Sequence, residues 1–140
     1  MPFKEKSAWI MAVLLTALGA AYYYVVAAIS IESGQLATPM FRTIIIYTVC
    51  LIIFSVIGHT VIGILAPKEA NAAADERERS IFHRAGHYSS YFMGAGVVMS
   101  LGAYMFLRSG DLLFYTVFAS LMVGQIMEFV FQIIFYRTSF

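Results

Sequence analysis

Six of the chain's seventeen charged residues crowd into eighteen positions at its centre, residues 70–87, which read ANAAADERERSIFHRAGH. Long stretches elsewhere are left almost without charge. Residues 9–31 and 88–107 contain none, residues 41–66 hold only Arg42 at one end, and residues 112–135 hold only Glu128. At 1.5 Å per residue the first of these runs is about 34 Å long as a helix, against a hydrocarbon core of about 30 Å. Lipid offers the backbone no hydrogen bonds, so a crossing segment must close them internally, as a helix does. The expected fold is an all-α membrane protein in a single domain, residues 1–140. Four transmembrane helices over residues 9–31, 41–66, 88–107 and 112–135 form two hairpins joined by a charged connector at 67–87.

Composition excludes several function classes. Hydrophobic residues make up 61% of the chain and charged residues 12%, where a soluble domain carries about 25% charged. A net charge of +1 provides no footprint for direct contact with nucleic acid. Cys50 is the only cysteine and lies inside an apolar run, so no intrachain disulfide or CxxC redox site exists. No Walker-type loop, GxGxxG or nucleophile with an adjacent base occurs, so neither an enzyme nor a cofactor is expected.

Local signals punctuate the spans. Trp9 is placed as an interfacial anchor, and Arg42 can reach the headgroups from the end of the second span. Thr38 is expected to cap a helix whose first turn begins at Pro39, and Pro67 to close the second span. Ala72 to Ala74 favour helix. From Asp75 onward Ile81, Phe82, Ala85 and Tyr88 recur at helical spacing, while Glu76, Arg79, His83 and His87 share another side. That pattern predicts an amphipathic helix on or near the membrane surface that runs into the third span. Lys4, Lys6, Lys68, Arg77, Arg79, Arg84 and Arg137 fall on one side of the four spans, and Arg42 and Arg108 on the other. The positive-inside rule then puts both termini and the connector in the cytoplasm and the protein in the inner, cytoplasmic membrane.

The run DERERSIFHRA, followed at once by a span, resembles the signature of the DUF2178 family of small bacterial and archaeal membrane proteins. The residues that carry the likeness are Asp75, Glu76, Arg77, Glu78, Arg79, Ile81, Arg84 and Ala85. The resemblance implies a four-span membrane protein without an established activity, associated in some members with small helix-turn-helix regulators.

Ionisable residues inside a span are expensive and mark candidate sites. Here they are His59 and Glu128. On the fourth span Ser120, Gly124, Gln125, Glu128 and Gln132 fall within an arc of about 140° and are expected to face protein. On the second, Thr48, Ser55, His59, Gly63 and Ala66 share a narrow face. His59 and Glu128 each lie about 10 Å from the same membrane face. The expectation is an intramembrane polar site of His59, Gln125, Glu128 and Gln132 in which His59 and Glu128 pair. His83 and His87 are four apart and could offer two ligands to a metal, without a committed third.

Two functions follow from these features. The first is a non-enzymatic, homo-oligomeric membrane tether or sensor. Its connector residues Glu76, Arg77, Arg79 and Arg84 would dock a cytoplasmic partner, a transcription regulator being one candidate. The alternative is a minimal proton-coupled transporter that uses Glu128.

Overall fold

In the computed structural model, residues 3–70 and 75–138 are described, and they contain five helices. These are α1 (Phe3–Ser33), α2 (Phe41–Leu65), the short α3 (Pro67–Ala70), α4 (Glu76–Leu107) and α5 (Gly110–Thr138). The fold is that of an all-α membrane protein, with α1, α2, α4 and α5 each long and apolar enough to span a bilayer. The helix expected over Ala72 to Ala74 lies outside the described residues.

Helix ends follow backbone chemistry. Gly34, at φ 71°, ends α1 in the left-handed conformation that glycine adopts without steric cost. Helix α2 starts at Phe41 and not at Pro39, and its N-cap is Met40, with no side-chain hydrogen bond from a cap. Thr38 is therefore not the cap. Pro39 is followed by an extended Met40, at φ −103° and ψ 127°, which delays the first helical turn. At the other end Ala66 leaves helical geometry before Pro67, and the proline opens α3. Arg108 turns the chain between α4 and α5 in left-handed geometry, at φ 54° and ψ 24°. The Ser109 hydroxyl then accepts from the Leu112 N–H, capping α5.

The amphipathic helix expected from Asp75 onward runs into the third span without a break. Asp75 caps α4 by accepting from the Glu76 N–H at 2.7 Å, and the helix continues unbroken through Leu107. Its 32 residues are about 48 Å long, some 18 Å more than the hydrocarbon core. The excess carries the charge and projects along the axis of the span. Ile81 and Ala85, at 3% and 0% exposure, face inward, so packing keeps this extension coaxial.

Packing joins the helices in the order α2, α1, α5, α4. Helices α1 and α5 meet through Ala8, Ala12, Phe129 and Ile133 toward one end and through Tyr22, Val26, Tyr115 and Met122 toward the other. Gly19 lets the Met122 sulfur approach. Helices α4 and α5 meet closely where Gly96 faces Ser120 and Gly124 faces Met93. On α5, the residues toward α1 and those toward α4 lie on opposite sides, about 180° apart at 100° per residue. On α1, the residues that meet α2 (Ser7, Ile10, Met11) lie about 120° round the helix from Ala8, Ala12 and Gly19. The four long helices thus form a single curved layer. Tyr22, Tyr47 and Phe118 fill the inside of the bend, with ring centroids 5.1 to 5.9 Å apart. Edge-on ring contacts of this kind suit their quadrupoles.

This arrangement corrects the expectation that the second and fourth spans lie side by side. Among the described residues α2 packs along α1 and α3 and reaches α5 through side chains, the ring of Tyr47 lying on Phe118.

The α4–α5 seam gives a direct test. A methyl group at Gly96 would collide with the Ser120 hydroxyl and lie 2.8 Å from its Cβ, whereas one at Gly102 meets open space. Gly96→Ala should destabilise the protein by about 1–3 kcal/mol through overpacking, and Gly102→Ala should not. Denaturant titration in detergent micelles measures both.

Candidate functional site

At one end of the layer α1, α4 and α5 bring their charged turns together. Lys4 Nζ lies 2.9 Å from Glu78 Oε2 and 5.6 Å from the centroid of the Phe82 ring. Arg137 donates from Nε to Glu5 Oε1 at 3.1 Å, and its guanidinium lies 5.5 Å from the centroid of Trp9. Glu5 is 5% exposed, so its charge depends on this partner far more than a surface carboxylate would. Phe82 packs edge-on against Tyr136, whose buried hydroxyl lies beside Glu78 without a hydrogen bond of good geometry. The end of α4 is thereby clamped to α5 through Phe82 and Tyr136 and to α1 through Lys4. None of Lys4, Glu5, Glu78 and Tyr136 stood out in the sequence as a site residue. The available signal was the opposite charges of Lys4 and Glu5 against Glu78 and Arg137 at spans expected to end on one side.

The connector residues divide into two sets. Glu76, Arg79, His83, Arg84 and His87 are exposed, as the shared helical side of four of them predicts. Arg84 leans over the Phe135 ring with its guanidinium 6.0 Å from the centroid. Arg77 is exposed as well but is engaged within the protein and lines a small pocket with Asp75, Glu78 and Tyr136, so the set turned away from the protein is Glu76, Arg79 and Arg84 together with His83. His87 Nε2 meets the Tyr91 hydroxyl at 3.1 Å. Among the described residues no three His, Cys, Asp or Glu side chains come together as metal ligands.

The intramembrane polar residues do not form one site. His59 faces α1: Nδ1 lies 2.8 Å from the Ser55 carbonyl, and Nε2 lies 2.7 Å from the Ser7 hydroxyl. A carbonyl can only accept, so Nδ1 carries the proton, and in the neutral ring Nε2 accepts from Ser7. Both nitrogens are satisfied inside the α1–α2 seam, where Ser55 also reaches the Met11 sulfur at 3.4 Å. The expected pairing of His59 with Glu128 is therefore wrong. The depth argument placed the two residues at one level but did not fix which helix α2 would pack on.

On α5 the polar stripe splits. Ser120 and Gly124 are buried against α4, and Gln132 is buried at 4% exposure. Gln125 is exposed, and Glu128 is half-buried with no hydrogen-bond or ionic partner among the described residues. The expectation that the whole stripe faces protein fails for these two. They lie between the α1-facing and α4-facing sides of α5, on the inner side of the bend with Phe118.

An apolar cleft of about 270 Å³ opens between α1 and α2 and is lined by Leu18, Tyr22, Thr43, Ile46, Tyr47 and Cys50 among others. Comparisons of the chain with family models, with curated proteins and with solved structures give no match.

Seam contacts make a prediction about His59. A double-mutant cycle of His59→Leu and Ser7→Ala should show coupling of about 0.6 to 1.7 kcal/mol, the range for hydrogen bonds between membrane helices. The cycle of His59→Leu with Glu128→Leu should be additive to within about 0.5 kcal/mol. Coupling in the second cycle and none in the first would contradict the geometry.

Proposed function

We propose that the protein is a non-enzymatic membrane tether whose α4 extension docks a cytoplasmic protein. One observation carries this reading: Glu76, Arg79, His83 and Arg84 are exposed on a helix whose opposite side is locked to α1 and α5. Docking on such a surface spends little entropy on ordering the receptor. Mixed charges there steer the encounter and set its specificity more than its strength. The seven cations at this end of the layer support a cytoplasmic orientation in the inner membrane through the positive-inside rule. The DUF2178-like motif residues, which include Glu76, Arg79 and Arg84, support a small transcription regulator as the partner.

A second reading, proton-coupled transport, is favoured by the carboxyl of Glu128, which has no partner among the described residues. A photo-crosslinking residue at His83 in whole cells separates the two. The tether predicts a discrete cytoplasmic adduct that Arg79→Glu with Arg84→Glu abolishes, while the same crosslinker at Tyr24, exposed within the apolar stretch of α1, forms none. Unchanged adducts in the reversed-charge variant would remove the basis for the tether. Substrate-driven proton flux in proteoliposomes that Glu128→Gln eliminates would favour transport instead.

A further inference from the structure

A single layer of four helices has little interior. Among the described residues no large side chain is less than 2% exposed, and the chain's accessible surface is 9071 Å². A compact monomer of 15.6 kDa is expected to expose about 7,250 Å². The excess of about 1,800 Å² is more than the roughly 800 Å² that each partner gives to a standard interface.

The polar residues locate the missing contact. Gln125 lies one residue past the midpoint of α5, where hydrocarbon surrounds any side chain that protein does not cover. Gln125 is exposed, and the Glu128 carboxyl one turn away is without a partner among the described residues. Polar groups at this depth are costly unless they meet hydrogen-bonding partners. The two residues nevertheless share the inner side of the curved layer, which α1 and α4 cover at Gln132 but leave open at Gln125 and only half-covered at Glu128. The opposite face of α5, with Val123, Ile126 and Val130, is apolar and suited to lipid.

We propose that a second copy of this chain packs against the inner face of the layer, so that Gln125 and Glu128 of the two copies form one hydrogen-bonded polar cluster at the dimer axis. Two copies inserted in the same orientation are related by an axis along the membrane normal, which places equivalent residues opposite each other at equal depth. Gln125 can both donate and accept, and a protonated Glu128 can do the same. The pair is therefore complementary to its own copy, with each carboxyl within one helical turn of the partner's carboxamide. A single desolvated carboxylate would instead require a cation, and the inner face of α5 carries none. This proposal is independent of the tether, because the α4 extension docks its partner outside the membrane.

Cysteine crosslinking in native membranes tests the face directly. In a Cys50→Ala background, Leu121→Cys and Val123→Cys occupy the same helix at nearly the same depth, and the native residues are 44% and 46% exposed. They differ in face: Leu121 lies between Gln125 and Glu128 in helical angle, and Val123 lies on the far side. The dimer predicts an efficient Leu121→Cys homodimer crosslink and none for Val123→Cys. Adding Glu128→Leu should lower the yield about tenfold, as expected when two symmetry-related interhelical hydrogen bonds are lost, whereas Glu128→Gln should preserve it. Crosslinking through Val123→Cys, equal crosslinking at both sites, a monomeric product at both, or adducts only to another protein would overturn the proposal.

Discussion

The seam between α1 and α5 holds the molecule together, because it is where the two hairpins pack along each other. Its half nearest the start of α1 is built from Ala8 and Ala12 against Phe129 and Ile133, small residues on one helix receiving large ones from the other. In lipid there is little hydrophobic gain from bringing helices together, so close van der Waals fit and polar contacts must supply the association. Two such polar contacts frame the seam. Arg137 reaches buried Glu5 at one end, and the Tyr23 hydroxyl donates to the Tyr115 carbonyl at 2.6 Å toward the other. With α1 and α5 committed to each other, α2 can pack only on the free side of α1, and α4 takes the opposite side of α5.

The consequence is a layer with two unlike faces. Where the layer bends, Tyr22, Tyr47 and Phe118 fill the inside, and the same face displays Gln125 and Glu128. A closed bundle of four helices would have absorbed those groups internally. The open layer leaves them for another molecule to satisfy, and it also aligns the charged turns of α1, α4 and α5 at one end. That end behaves as a rigid platform, since Lys4, Glu5, Glu78 and Arg137 are used in clamping it. The exposed charges on Glu76, Arg79 and Arg84 are not used in that clamp and are available for recognition.

Much of the fold was legible because the physics of lipid is harsh. Uncharged runs of the right length have few alternatives to a spanning helix, so the four long apolar helices were legible in residues 9–31, 41–66, 88–107 and 112–135. The inward and outward sides of α4 were also readable, since Ile81 and Ala85 against Glu76, Arg79, His83 and His87 is a plain helical pattern. Neighbour choice was not readable. Periodicity shows that Ser55 and His59 share a face but not whether that face meets α1 or α5, and Ser7, the actual partner, lies only a few residues into α1. Glu5 was overlooked for a related reason: a carboxylate in a short charged arm looks solvated until Arg137 is brought over it.

The central claim is the order of helices in the layer, and distances between spin labels on α2 and α4 test it most directly. Val49 and Ala95 are exposed, and the contacts of Tyr47 with Tyr22, Gly19 with Met122 and Gly124 with Met93 place them at similar depth. Labels there, in doubly labelled chains diluted with unlabelled protein so that only distances within one copy are seen, report the separation of the two outer helices. With neighbouring axes about 8–10 Å apart, a curved layer puts α2 and α4 more than about 20 Å from each other, while a closed four-helix bundle puts them within about 14 Å. A single population at the longer distance is the predicted result. A dominant population at the shorter distance would contradict the layer.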